Sequence, residues 1–571
     1  MTEEQQEQQC VQTAQAPSAQ TAQTAQAPSA QMAQAPSAQM AQAKQPQKAQ
    51  TQPQKAQAKQ PQKINKSDTT RLGREKIGKL LLEFAIPAVI GMMFNTLYNI
   101  VDTAFLQRSM GDAGAAVATL AFPVMTLLMG FSLLAGQGGN ALAAIQMGEG
   151  KMNKVEKTLG NTVFLLIALA LLVAVFSIFA IDFILDVLST PAELRAYTQT
   201  FVQIICCGFV FQSLGMGVGN FLRTAGHPNL AMVTQCVGTF ACIILNYLFV
   251  MVWGWGVTGS AWATVLGQAC GMVPTMAYFM FVKTAPFRLR LINLIPKPRL
   301  VGRILVMGIA SFVTQVGSMC VSLVFNLVVT EYAVVDGVSA DTALAALGIA
   351  MKACSFAFTP MLGIMIAAQP IIGFNFGAKL WNRVLQALKL AIIASMIVGF
   401  IFTALAFLTP GPIVGIFGVK DEGYDIAVQA LGVMSILFGP VGFQVMGSSY
   451  FQSSGQPIKS AILEMMRQIL FLIPMYLLLP PVYMQLFGFS GLESIMACLP
   501  TSDFASICVS TVFVVHEIRK VRRWRAEAIA AGQPVDCLPD NFGEAVGEVP
   551  GAAAGAPAGE APGAEPCISP A

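Results

Sequence analysis

Twelve apolar stretches, each long enough to cross a lipid bilayer, constrain the fold of this 571-residue chain more than any other feature. A membrane-spanning helix needs about 20 mainly apolar residues, and lipid cannot satisfy the polar groups of any backbone that is not helical or closed into a barrel. With 55% hydrophobic and 11% charged residues, the composition excludes an ordinary soluble protein. The sequence therefore predicts an all-α polytopic membrane protein with 12 transmembrane helices. The predicted spans are residues 79–105, 117–145, 158–185, 196–222, 229–253, 257–282, 303–331, 342–374, 385–408, 424–451, 458–484 and 490–516.

Basic residues are distributed unevenly between the two sets of loops. With the N-terminal tail placed inside, the inside flanks and loops hold 24 Lys and Arg residues, whereas the outside loops hold 3, namely Arg108, Arg195 and Lys420. Cytoplasmic loops of membrane proteins carry such an excess of positive charge. We therefore expect both termini to lie in the cytoplasm.

The chain repeats itself at a fixed offset, which we call the repeat offset. Gly148 recurs as Gly377, and at the same offset Gly226-His-Pro228 recurs as Gly455-Gln-Pro457. Each repeat holds six spans, an even number, so both halves enter the membrane in the same direction. Parallel repeats of this kind are related by an axis along the membrane normal. The sequence thus predicts two six-helix bundles related by a pseudo-two-fold axis along that normal.

Composition sets the limits of the segments. Residues 76–282 form the predicted N-terminal bundle (the N-lobe), and residues 303–518 form the C-terminal bundle (the C-lobe). A basic cytoplasmic linker, 283–302, joins them. Residues 1–75 form a tail rich in Gln, Ala, Pro and Lys, and residues 519–571 form a second tail, basic at first and then rich in Gly, Ala, Pro and Glu. Low apolar content predicts disorder in 1–75 and from about residue 536 onward.

Six short motifs lie in order along residues 75–520: Phe94-Asn-Thr-Leu-Tyr-Asn-Ile-Val-Asp102, Gly136-Gln-Gly-Gly139, Arg223-Thr-Ala-Gly-His-Pro228, Gly254-Trp-Gly-Val-Thr-Gly-Ser-Ala-Trp-Ala-Thr264, Gln369-Pro-Ile-Ile-Gly-Phe-Asn375 and Arg467-Gln-Ile-Leu-Phe-Leu-Ile-Pro474. Together they resemble those of MATE (multidrug and toxic compound extrusion) transporters. The resemblance implies cation-coupled export of organic, often cationic, compounds across the bacterial inner membrane.

A polar stripe marks the first span. Asn95, Tyr98, Asn99 and Asp102 are spaced i, i+3, i+4 and i+7, which places them on one face of a helix. An ionisable residue inside a bilayer is costly and points to a function, and a carboxylate can bind H⁺ or Na⁺. The alternative is an interfacial aspartate, since Asp102 lies near the outer end of the span. In the family, the residues resembling Asp102 and Tyr98 belong to the cation-binding region.

The fifth span departs from the family pattern. Many members carry Asn-x-x-x-Asp where this chain has Cys242-x-x-x-Asn246. An amide cannot titrate, so coupling through a pair of aspartates is in doubt, and Asn246 is left to orient a water or an ion. Thr264 resembles a threonine of the same polar cluster, with ordinary packing as the equal alternative. These five residues, Tyr98, Asn99, Asp102, Asn246 and Thr264, are the candidate cation-coupling site.

The second half contains four charged residues inside its spans: Lys352, Glu464, Arg467 and Asp503. Glu464 and Arg467 are three residues apart and are expected to pair along one helix face, with a purely structural ion pair as one interpretation. Lys352 has no acidic neighbour at helical spacing, so its partner should be Asp503 or Glu464 on another helix. Such pairs can switch between two states during transport.

The leading hypothesis is a secondary active multidrug antiporter that exports organic, cationic amphipathic compounds in exchange for H⁺ or Na⁺. A lipid-linked oligosaccharide flippase of a related two-bundle fold is the alternative. Only 2 His are present and no cluster of His, Cys or paired carboxylates is found, so we expect neither an enzyme nor a metal site. Apart from the coupling ion we expect no cofactor. The expected partners are small molecules and the lipid bilayer, without nucleic acid, and the expected state is a monomer.

Overall fold

The computed structural model describes residues 71–188, 190–416 and 422–538, and these residues are almost entirely helical. Most of the two predicted tails, residues 1–70 and 539–571, lies outside the described residues. The helices of the first half are α1 Arg71–Arg74, α2 Ile77–Met110, α3 Asp112–Gly148, α4 Met152–Phe179, α5 Ile181–Val187, α6 Ala192–Thr224, α7 Pro228–Asn246, which continues as a π-helix over Tyr247–Val252, and α8 Gly256–Phe281.

A short 3₁₀-helix, Leu291–Leu294, lies in the linker between the two halves. The helices of the second half are α9 Pro298–Val335, α10 Ala340–Gly377, α11 Trp381–Leu408, α12 Pro410–Ile416, α13 Glu422–Ser435, α14 Phe438–Ser453, α15 Pro457–Met465, which continues as a π-helix over Met466–Leu472, α16 Ile473–Phe487 and α17 Gly491–Ala530.

The predicted membrane-spanning character is confirmed. Within the described residues, ten helices are long and apolar enough to cross a membrane, and α13 and α14 together form an eleventh span bent by 51°. The sixth predicted span is present as α8 but falls outside this set, because Gly, Ser and Thr make up much of its first half. Its glycines allow close packing: a Cβ atom on Gly267 would lie 2.5 Å from the Cβ of Cys242 on α7. Small residues serve helix contacts in membranes in this way.

The repeat seen in the sequence extends to the helix boundaries. Shifting α4 by the repeat offset reproduces both ends of α11, and the same shift carries the short helix α5 onto α12. Each half therefore builds its third span and the short helix after it from equivalent positions.

Two glycines show how the halves face each other. A Cβ atom on Gly148 would lie 2.0 Å from the backbone oxygen of Phe374, and one on Gly377 would lie 2.1 Å from that of Ile145. Because Ile145 and Phe374 are themselves separated by the repeat offset, the two contacts are exchanged by the repeat. An exchange of this kind is the property of a two-fold interface, and it supports two parallel bundles around one axis.

The lobes touch through α2 and α3 of the N-lobe and α9 and α10 of the C-lobe. We call the end of the bundles at which α2 and α9 begin, and α3 and α10 finish, the basic end. A Cβ on Gly308 of α9 would lie 1.7 Å from the backbone oxygen of Leu134, and one on Gly363 of α10 would lie 2.6 Å from Val89 Cγ2. The hydroxyl oxygens of Thr96 and Thr359 are 3.3 Å apart. These contacts close the lobes together from the basic end to about the middle of α2 and α10.

Both ends of the described chain dock on the C-lobe. Arg383 on α11 donates hydrogen bonds to the backbone oxygens of Leu72 (3.0 Å) and Glu75 (2.7 Å), and Leu538 packs against Gly73. Residues 71–75, which the prediction placed in a disordered tail, are thus held in place, and α17 continues to Ala530, beyond the predicted end of the span at 516. Docking onto α10 and α11, which periodicity does not reveal, accounts for the order near residue 75.

Candidate functional site

A buried carboxylate lies between three helices of the N-lobe. Asp102 on α2 is only 7% exposed. Its Oδ1 accepts hydrogen bonds from Asn246 Nδ2 on α7 (2.9 Å) and from Ser260 Oγ on α8 (2.7 Å). The interfacial position considered for Asp102 does not fit this burial. Both donors are neutral, so they orient the carboxylate without neutralising its charge.

Polar contacts continue from Asn246 deeper between α7 and α8. Asn246 Nδ2 lies 3.6 Å from Cys242 Sγ, and that sulfur lies 3.9 Å from Thr264 Oγ1. Asn246 and Thr264 are 1% and 0% exposed. The structure therefore brings Asp102, Asn246 and Thr264 together. The side chains of Tyr98 and Asn99 lie outside the described part of the structure.

Ser260 is the residue that the sequence prediction missed. It precedes Thr264 by four residues on α8, so the two share a helix face. That spacing, inside a motif already singled out, was the available signal. Asn246 is also the last residue of α7, directly before the π-helix that begins at Tyr247. Such irregular turns often occur at functional sites, because they alter the direction of the side chains next to them.

The arrangement is suited to holding a proton or a small cation. Among the described residues no Lys, Arg or His forms an ion pair with Asp102. The side-chain amide oxygen of Asn246 is buried and accepts no hydrogen bond from any residue that the structure describes. Oxygen atoms are the ligands that hard cations prefer. No group of three or more His, Cys, Asp or Glu that could hold a metal ion was found in the described ranges.

The charged residues of the C-lobe form a pair rather than the predicted network. Arg467 Nε donates to Asp503 Oδ1 at 3.1 Å, with the Asp503 side chain 2% exposed. The Arg467 guanidinium also lies 5.1 Å from the ring centre of Phe358. The expected pairing of Glu464 with Arg467 is not formed. The chain becomes π-helical at Met466, so residues three apart no longer line up as they do on an α-helix.

Lys352 does not join this pair. It is exposed on α10, and in the ranges the structure describes it forms an ion pair with neither Asp503 nor Glu464. Neither expected partner of Lys352 is observed: Asp503 is paired with Arg467, and Glu464 forms no ion pair with Lys352 in those ranges. Of the four residues of the predicted network, Arg467 and Asp503 form one buried pair, and Lys352 and Glu464 lie outside it.

The MatE family model matches residues 87–248 and 310–478, which together exceed half of the chain and include Asp102 and Asn246 in the first segment. The chain belongs to the MATE family.

Curated relatives of this MATE chain are multidrug export proteins of staphylococci. The MepA multidrug export protein of Staphylococcus saprophyticus is 22% identical over 450 residues, covering 78% of this chain and 95% of the relative. That of Staphylococcus aureus strain MSSA476 is 24% identical over 422 residues, covering 73% and 90%. This MATE chain is thus a multi-pass membrane protein of a bacterial transporter family whose members act on small molecules.

Solved structures support the fold of this MATE chain. A crystal structure of MATE in complex with MaL6 superposes with a TM-score of 0.74 at 19% identity, covering 80% of this chain and 99% of the other. An outward-facing multidrug resistance MATE transporter superposes with a TM-score of 0.73 at 20% identity and the same coverage. A MOP superfamily transporter from Pyrococcus furiosus gives 0.73 at 20% identity, covering 80% and 98%. The predicted two-bundle architecture is confirmed.

Proposed function

We propose that this MATE chain is a secondary active multidrug efflux transporter that exports small organic compounds in exchange for H⁺ or Na⁺ bound at Asp102. The observation that carries the coupling site is the buried Asp102 carboxylate, held by the neutral donors Asn246 and Ser260. A family fold built of two lobes, and relatives that are multidrug export proteins, support export as the overall activity.

The interlobe contacts define which side of the membrane can open in this conformation. The excess of Lys and Arg supports a cytoplasmic position for the basic end and, with it, for both termini. Since the lobes are closed together near that end, the described conformation is the one that faces outward. Export then requires the contacts at Thr96, Gly148, Gly308 and Gly363 to separate, so that substrate enters from the cytoplasm.

Asp102 is placed to link ion binding to that motion. It joins α2, which forms part of the interlobe contact, to α7 and α8, which lie behind α2 in the N-lobe. A proton or Na⁺ that binds the carboxylate changes its hydrogen bonds to Asn246 and Ser260, and so changes how α2 packs on α7 and α8. An ion shifts the equilibrium only if it binds one conformation better than the other. The transporter acts as a monomer in the bacterial inner membrane and uses no cofactor beyond this ion.

The flippase alternative is not favoured. The family match and the curated relatives are those of multidrug exporters. No feature of the described residues points to a lipid-linked sugar in preference to a small organic compound.

Dye efflux from proteoliposomes tests the proposal, with pH and sodium gradients imposed separately. Asp102→Asn keeps the size of the side chain but removes its charge, and should reduce gradient-driven efflux to the background of empty liposomes. Asn246→Ala and Ser260→Ala each remove one hydrogen bond to a charged group, worth about 1.5–3 kcal/mol, and should shift the ion concentration needed for half-maximal transport. Asp341→Asn, which changes an exposed acid at the start of α10, is the matched control and should transport normally. Gradient-driven efflux by a folded Asp102→Asn variant at the wild-type rate would remove Asp102 from the mechanism.

A further inference from the structure

Lys352 lies on the face of α10 that is directed toward the N-lobe. Thr359, seven residues further along α10, is hydrogen-bonded to Thr96 of the N-lobe, and Gly363 packs on Val89. Seven residues are almost two full helical turns, so Lys352 and Thr359 share a face, with Lys352 about 10 Å further from the basic end. There the residue is exposed. Lys352 therefore projects into the opening between the lobes, beyond the last of these contacts.

No acidic side chain among the described residues pairs with Lys352. In the described ranges it forms no ion pair, and Asp503 is occupied by Arg467. The nearest acid on its own helix face, Asp341, is eleven residues away, about 16 Å along the axis. Asp102 lies at a similar depth, about 9 Å beyond Thr96, but its carboxylate is buried in the N-lobe and directed at Asn246 and Ser260.

An aromatic ring lies beside the lysine. Phe356 follows Lys352 by four residues on the same face and is 39% exposed. A flexible ammonium donor next to an exposed ring face matches a compound that carries a carboxylate on or near an aromatic group. An unpaired lysine in a span is also costly unless water or a ligand compensates it.

We propose that Lys352 binds the carboxylate of anionic or zwitterionic aromatic substrates in the cleft between the lobes, with Phe356 packing on their rings. The inference rests on the proposed export function and assigns to Lys352 the recognition of the carboxylate in such substrates. In this respect Lys352 is a specificity-determining residue, since a cationic compound gains nothing from it.

A pair of dyes with the same chromophore isolates the carboxylate. One is a zwitterionic rhodamine with a free benzoate, and the other is its cationic methyl ester. Efflux of each is measured from proteoliposomes that contain the full-length wild type, Lys352→Met, Lys352→Gln or Lys352→Arg. The matched control is Lys389→Met, which removes an exposed lysine from α11 of the same lobe. We expect Lys352→Met and Lys352→Gln to raise KM for the benzoate dye about tenfold, because each substitution removes one charge-assisted hydrogen bond to the benzoate. KM for the ester should stay within about twofold, and Lys352→Arg should retain most benzoate transport.

The outcomes separate the two proposals. Wild-type protein that exports neither dye contradicts the proposed function, whereas export of the ester alone, with no competition by the benzoate dye, overturns only the role of Lys352. Equal loss for both dyes in Lys352→Met, or the same loss in Lys389→Met, also overturns it. If Lys352→Met and Lys352→Gln fail to fold, competition between the two dyes is measured in the wild type and in Lys352→Arg. A benzoate dye that does not inhibit efflux of the ester in these two proteins does not bind in the cleft, and this result overturns the role of Lys352.

Discussion

Replacing Gly377 by alanine should weaken the closed contact between the lobes. The new Cβ would lie 2.1 Å from the backbone oxygen of Ile145, where ordinary contact begins at 3.4 Å, so α3 and α10 must move apart by more than an ångström at this crossing. The neighbouring atom is backbone and cannot rotate away. Overpacking of this kind typically costs about 1–3 kcal/mol, which changes the ratio of closed to separated lobes by about 5- to 150-fold.

Alanine also favours a helix over glycine by about 1 kcal/mol, and this gain applies whether the lobes are together or apart. Gly348→Ala isolates it, because a Cβ at Gly348 on the same helix meets nothing within 4 Å. The assay is the distance between spin labels on noncanonical amino acids at Lys154 and Gln386, exposed positions of α4 and α11 near the basic end. Gly377→Ala should increase the population with a long distance, and Gly348→Ala should leave it at the wild-type value.

The symmetry of the contact makes a second measurement informative. Gly148→Ala should act like Gly377→Ala, since its Cβ would lie 2.0 Å from the backbone oxygen of Phe374. Once the first alanine has separated the helices, the second meets less resistance, so the double variant should cost less than the sum of the two single changes. A Gly377→Ala protein with the distance distribution of the wild type would refute the tight crossing.

Two further predictions concern the basic end. Arg383→Met should lower the free energy of unfolding by roughly 2–4 kcal/mol, because it leaves the backbone oxygen of Glu75 and the side-chain oxygen of Asn375 without the donor they have in Arg383. The backbone oxygen of Leu72 loses one of its two donors and keeps Asn375 Nδ2. Thermal unfolding in detergent measures this, and an unchanged midpoint would contradict it. The Arg71 guanidinium, 2.6 Å from Glu75 and 2.8 Å from Glu83, holds the pKa of Glu75 below its usual range. The stability that Glu75 contributes is therefore present above its unfolded pKa and is lost as the pH falls through the lower folded value. Glu75→Gln should remove this acid-dependent part, less than about 1 kcal/mol for a partly exposed pair, and an identical pH profile for the variant would contradict the assignment.

The spans and the repeat were predictable because the bilayer and the duplication both leave long-range patterns in the sequence. Each predicted span is helical, and the repeat offset reappears in the ends of α4, α5, α11 and α12. The ordered segments near residue 75 and after residue 516 were not predictable in the same way. Their order comes from contacts such as that of Leu538 with Gly73, and a contact between distant parts of the chain leaves no periodic signal.

Within the site, the helical stripe and the family resemblance together placed Asp102 with Asn246 and Thr264. Ser260 was missed because a serine in a span is usually satisfied by its own backbone, and only the three-dimensional arrangement aims its hydroxyl at Asp102. The pairing of Glu464 with Arg467 was wrong because it assumed a regular α-helix where the chain is π-helical. A local break in helical spacing cannot be read from the residue types at those positions.

The two lobes share a scaffold but not its polar contents, and this difference favours the N-lobe as the place of ion coupling. The glycines that let the lobes touch occur in both halves, at Gly148 and Gly377, because a two-fold crossing requires close approach from each side. At the same offset, however, Asn246 falls on Met475, and Asp102 falls on Glu331, which is exposed rather than buried. Two acids of the C-lobe are buried among the described residues, and both are paired: Asp503 with Arg467, and Glu517 with Lys459. Asp102 is held by neutral donors alone. An ion that binds in order to compensate a buried charge therefore gains more at Asp102 than at Asp503.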